Sequence, residues 1–193
     1  MKNKQAGFSL VELVVVIVVV GLLAVAALPR FLDVTDEAKK ASIEGVAGGF
    51  ATGVLSARAQ WEAEARPSET INNERYNFVN YDGVDFWLTR SEDSSGNATT
   101  FRDGYPRALK QGNVGFPTDL TPEHCVALME NLLQNPPKVD TEGSTGEKKN
   151  VKYIAQAVID GDNESCIYIQ QEGGTKHQFE YELNTGRVTV TLQ

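Results

Sequence analysis

"AGFSLVELVVVIVVVGLLAVAALPRF", residues 6–31, carries a single charge, Glu12, before Arg30. From Leu13 to Leu28 every residue is apolar or glycine, so the run reads as a membrane-spanning helix with one carboxylate at its mouth. An ionised side chain inside a bilayer costs roughly 2.5–3.5 kcal/mol on insertion scales, which makes Glu12 a candidate functional residue. Lys2 and Lys4 precede the run and are expected to hold the N-terminus in the cytosol. Everything after Leu28 then lies outside, where a disulfide persists.

Two ordinary explanations leave Glu12 without a role. A secretory signal needs a positive end, a short apolar stretch and an A-x-A site, which Ala24-Val25-Ala26 meets loosely. A signal anchor needs about 20 apolar residues, nearly supplied by Leu10 to Leu28. A third explanation does give the carboxylate a place. Gly7-Phe8-Ser9-Leu10-Val11-Glu12 resembles the processing site of type IV prepilins, with a short basic leader, a glycine, a phenylalanine and a glutamate four residues later. Gly21 and Pro29 fall where pilin stems usually carry these residues. "LAVAALPRFLDVTDEAKKAS" (23–42) is similar to pilins of the mannose-sensitive haemagglutinin (MSHA) group. The resemblance covers residues 1 to about 60.

That resemblance implies a structural fibre subunit and not an enzyme. Residues 1–7 are a leader, removed after Gly7 by a prepilin peptidase, and Phe8 is then N-methylated. Residues 8–31 are a single-pass inner-membrane helix that becomes filament core, 32–66 an amphipathic stem helix, and 67–193 a periplasmic head. Glu12 serves subunit assembly. The implied partners are other pilin subunits, the membrane, a platform protein, an assembly ATPase and a surface glycan receptor, and the final location is a cell-surface pilus. A type II secretion pseudopilin has the same leader and stays open as an alternative. A signal-anchored periplasmic enzyme or binding protein is a third class.

Composition narrows these choices. The net charge is −8, from 18 basic and 26 acidic residues, which argues against an electrostatic nucleic-acid binder. Two histidines and two cysteines outside any CxxC spacing leave little material for a metal centre or a catalytic triad, and no cofactor is expected. Cys125 and Cys166, as an extracellular pair, are expected to bridge, with two buried free thiols as the alternative. Closing a loop of about 40 residues contributes on the order of 4 kcal/mol in the chain-entropy model.

Past Pro29, where a kink or local melting is expected, the pattern turns amphipathic. Ile43, Val46, Phe50, Val54, Ala57 and Trp61 share one face, with Lys39, Lys40, Glu44, Arg58 and Glu62 off it. Gly45, Gly49 and Gly53 recur every fourth residue beside Gly48. Each glycine costs about 1 kcal/mol relative to alanine inside a helix, so the strip needs a reason. Close backbone approach of a partner is one, and plain flexibility of the stem the other.

The fold class expected is α+β, a long N-terminal helix packed on a C-terminal antiparallel sheet. Residues 67–120 read as loop-rich, with short strands at 76–81 and 84–88 and a mobile 91–104. Thr121-Pro122 opens a helix over 123–133 that Asn135-Pro136-Pro137 stops. The segments 151–159, 165–171, 177–183 and 187–192 form a meander joined by hairpin turns. Three further candidates have ordinary explanations beside the functional ones. Asp160, Asp162 and Glu164 are a partial calcium loop or a solvated turn, because position 165 is serine. Trp61, Trp87, Tyr76, Tyr81 and Tyr105 are a sugar-binding surface or core. His124 is expected at the surface.

Overall fold

The computed structural model describes residues 8–93, 95–112, 115–144, 150–172 and 176–193, and the side chains of residues 32 and 33 are not among those described. Gly7, Ser94 and parts of the polar stretches 140–150 and 172–176 therefore lie outside the described residues. The chain divides into two compact units, residues 1–41 and 42–193.

Helix α1 runs from Leu10 to Ala63. It passes through Pro29 without interruption, so the helix does not melt there. Within the first unit its apolar residues are exposed, Leu13 to Leu28 included, and the run is long and apolar enough to cross a membrane. Within the second unit, Ile43, Phe50, Val54, Ala57 and Trp61 are buried and Val46 is half-buried, as the 3.6-residue period requires. Helix α1 then ends through Ala65 and Arg66, both at φ 60°, as the Arg66 N–H bonds back to the Trp61 carbonyl at 2.9 Å.

Two sheets complete the second unit. The first is four-stranded and antiparallel in chain order: β1 (Ser68–Ile71), β2 (Glu74–Tyr81), β3 (Val84–Leu88) and β4 (Pro106–Leu109). Only β2 and β3 were legible as strands, so the middle of the chain is more ordered than its loop-rich composition implies. Its hairpins turn on Asn72-Asn73 and Asp82-Gly83, all at positive φ, the residue types that tolerate that backbone. The 91–104 excursion, expected to be mobile, is tied down at several points. Asp93 accepts from the N–H groups of Ser95 and Asn97, and Asp103 accepts from Ser91.

Helix α2 (Pro122–Leu132) follows, and then the second sheet, β5 (Val139–Thr141), β6 (Tyr153–Asp160), β7 (Asn163–Gln170), β8 (Gln178–Glu182) and β9 (Arg187–Thr191), also in chain order. The meander β6 to β9 is antiparallel, while β5 pairs in parallel with β6, an addition that three residues gave no signal for. Phe50 of α1 is the centre of the core, with ring centroids 5.4 Å from Tyr168, 5.8 Å from Phe179 and 5.3 Å from Tyr181. The amphipathic half of α1 thus packs on the meander, which makes the class α+β.

The glycine strip has a local explanation inside this unit. A Cβ at Gly53 would collide with the Leu132 carbonyl oxygen, and one at Gly49 would stand 3.1 Å from Leu133 Cδ2. The end of α2 therefore lies directly on the α1 backbone. Gly45 and Gly48 face open space.

Candidate functional site

The mouth of α1 is built by a reciprocal pair of hydrogen bonds. The Ser9 backbone N–H donates to Glu12 Oε2 at 2.8 Å, and the Glu12 N–H donates to Ser9 Oγ at 3.2 Å. This is a capping box, which satisfies donors that a helix start leaves orphaned. The S-x-x-E spacing that announces it stands in the sequence at Ser9 to Glu12. Sequence reasoning fixed on the charge of Glu12 and passed over Ser9, which positions it. Glu12 Oε1 has no partner among the described residues. Phe8 precedes the helix and is 85 % exposed.

Cys125 of α2 and Cys166 of β7 are bonded to each other, with Cα atoms 5.5 Å apart, and both are fully buried. The Tyr168 hydroxyl donates to the Cys125 carbonyl at 2.7 Å beside the bridge. Burial holds the Tyr168 and Tyr181 phenols well above the usual tyrosine range and pushes Tyr153 up to about 12.

The remaining candidates resolve into structural work. Trp61, Trp87 and Tyr105 are buried, so they offer no stacking platform for a sugar. Tyr76 is half-buried and stacks on Phe116 at 4.6 Å, with Arg90 over its ring at 4.4 Å, and Tyr81 is half-buried too. Of the acidic trio in the 160–164 turn, Glu164 faces inward to Arg107. The guanidinium makes an ion pair with Oε2 at 2.8 Å and a hydrogen bond to Oε1 at 2.9 Å. Among the described residues, no three His, Cys, Asp or Glu side chains are grouped to hold a metal ion. Burial raises the Glu164 carboxyl pKa against the opposing pull of Arg107.

His124 is half-buried and does local work. Its Nδ1 accepts the Thr121 backbone N–H at 3.2 Å while Thr121 Oγ1 accepts the His124 N–H at 3.4 Å, a second capping box with histidine in the usual Glu/Gln place. Burial, aided by the Arg107 charge, lowers its pKa.

Comparison with known proteins agrees with the N-terminal geometry. Residues 2–28 match the prokaryotic N-terminal methylation motif. The chain is 41% identical over 57 residues to the type IV narrow pilus major component PilA5 of Thermus thermophilus, covering 30% of this chain and 49% of that protein. It is 33% identical over 85 residues to the fimbrial protein EcpC of Eikenella corrodens, covering 41% of this chain and 56% of that one. The chain thus spans about half the length of the curated relatives it matches. No solved structure matches it. Its N-terminal third is type IV pilin-like and carries the prepilin methylation motif.

Proposed function

We propose that this chain is a structural subunit of a type IV pilus. One observation carries that reading: the methylation motif over residues 2–28 sits on an apolar helix whose one carboxylate is Glu12. On this reading, prepilin peptidase cuts after Gly7 and Phe8 is methylated. The segment 8–31 then anchors the chain in the inner membrane, ahead of the stem 32–66 and the head 67–193. A platform protein and an assembly ATPase add it to a surface fibre of pilin subunits that adheres to a glycan receptor. Its finer place is in the MSHA group, where its length and its middle region suit a minor pilin of the MshB kind.

Glu12 is the assembly residue. Cleavage turns the Phe8 amine into a cation, and methylation keeps that charge. A carboxylate is costly in a low-dielectric fibre core, and an amine within hydrogen-bond reach offsets much of the cost. The capping box uses Oε2 and leaves Oε1 for such an amine, either its own or that of the preceding subunit. A charge merely held at the membrane interface is the competing role for Glu12.

The test combines mass spectrometry of the mature N-terminus with immunogold microscopy of sheared fibres. A methylated Phe8 in a surface fibre supports the proposal. A methylated Phe8 without surface fibres assigns the chain to a type II secretion pseudopilus, and an N-terminus at Ala27 makes it a secreted protein. Gly7→Val is expected to stay uncleaved, because the peptidase must fit a residue without a Cβ before the scissile bond. Glu12→Ala is expected to be inserted and cleaved but poorly incorporated, with Glu12→Asp intermediate. Incorporation of Glu12→Ala at the wild-type level refutes the assembly role.

A further inference from the structure

Strand β9 is the open edge of the second sheet. Its inner side pairs with β8 from Arg187 opposite Glu182 to Thr191 opposite Gln178. Among the described residues, no backbone hydrogen bond reaches its outer side. The other sheet edges are shorter or covered. β1 has four residues and carries Glu69, β5 has three, and β4 and β5 both lie against α2. An exposed edge is normally blunted by proline, lysine, a bulge or an inward-pointing charge. "RVTVT" has none of these devices, and its one charge, Arg187, points outward.

The inner row of β9 is also unfinished. Phe179 and Tyr181 of β8 are fully buried, and their partners Val190 and Val188 are only half-buried. Leu192, next in that row, is 41% exposed. The core therefore runs out at the edge with apolar surface still uncovered.

We propose that β9 pairs antiparallel with β9 of a second copy of this chain, about a two-fold axis through Thr189. The strand is its own complement in that register. Val188 meets the partner copy's Val190, so each finishes the burial of the other, and Thr189 meets its twin on the outer face. Arg187 meets threonine and never another arginine, which avoids the like-charge cost of a direct cross-strand pair. Leu192 falls opposite Gly186, which has no side chain to obstruct it. All five strand residues pair in this register, whereas a shift of two residues along the partner leaves Arg187 outside the ladder. Five-residue pairing buries less than the ~1,000 Å² that a stable free dimer needs. Confinement of two anchored copies to one membrane raises their effective concentration and populates the pair, so the inference rests on the proposed membrane anchoring.

Cysteine capture in the full membrane-anchored chain tests it. Cys125 and Cys166 are bonded to each other, so an added cysteine is the sole free thiol. Directly opposed strand residues have Cα atoms about 4.5–5.5 Å apart, within disulfide reach. Thr189→Cys is therefore expected to convert to a disulfide-linked dimer on mild oxidation. Thr191→Cys alone stays monomeric, because the two copies of residue 191 are roughly 13 Å apart along the ladder. Mixing Arg187→Cys with Thr191→Cys copies restores the dimer. Absence of the Thr189→Cys dimer, or equal capture by Thr191→Cys alone, overturns the proposal. Mass spectrometry of the N-terminus in the same membranes reads the prepilin assignment separately, so failure of one is not failure of the other.

Discussion

Replacing Gly53 and Gly48 one at a time with alanine puts two glycines, five residues apart on one helix, to a test of opposite sign. Alanine gains about 1 kcal/mol over glycine within a helix, through lost backbone freedom in the unfolded chain. Gly48 faces open space, so Gly48→Ala is expected to realise that gain. Gly53 is buried under α2, and its new Cβ meets the Leu132 carbonyl oxygen, a backbone atom that no rotamer change can move. Overpacking of this kind costs about 1–3 kcal/mol, so Gly53→Ala nets a loss of about 1–2 kcal/mol once the helix gain is subtracted. The two variants are then about 2–3 kcal/mol apart, or roughly 5–10 °C in Tm for a chain of this size. Gly49→Ala falls between them, since Leu133 Cδ2 at 3.1 Å belongs to a side chain that can turn away. Urea unfolding of the detergent-solubilised chain reports this through Trp61 and Trp87, its two tryptophans, both buried. Equal stability of Gly53→Ala and Gly48→Ala would refute the close approach of α2 to α1.

Three further outcomes are expected. The pKa of His124 is lowered on folding, so the unfolded chain binds its proton first, and stability is lost as pH falls below about 6.5. His124→Gln keeps a capping side chain without the titration, and it should flatten Tm against pH between about 7.5 and 5.5; an unchanged slope refutes the link. Glu164 acts with the opposite sign, since its pKa is raised on folding and its contribution is lost as pH rises through the carboxylate range. Arg107→Ala leaves the buried Glu164 carboxylate unpaired and should cost about 3–5 kcal/mol, while Arg107→Met with Glu164→Gln recovers much of that in urea titrations. Cys166→Ala opens the bridge across a separation of 41 residues and should lower stability by about 4 kcal/mol, with the wild-type peptides separating only under reductant in a digest.

The sequence by itself determined what depends on local period and local chemistry. The apolar run, the amphipathic face ending at Trp61, the Thr121-Pro122 helix start and the four strands of the meander are each written in consecutive residues. So was the capping box at Ser9 to Glu12, an S-x-x-E spacing that attention to the charge alone obscured. Contacts between distant segments had no such signature. β1, β4 and β5 have three or four residues each, too few for a period to show, and they become strands only when a neighbour supplies the ladder. The placement of Trp87 and Tyr105 in the interior, the pairing of Arg107 with Glu164 and the seating of α2 on Gly53 were likewise decided by tertiary structure. The physical reason is the same in each case. A side chain's value as core, ion-pair partner or exposed platform is set by what the fold brings against it from tens of residues away, and local propensity carries no record of that neighbour.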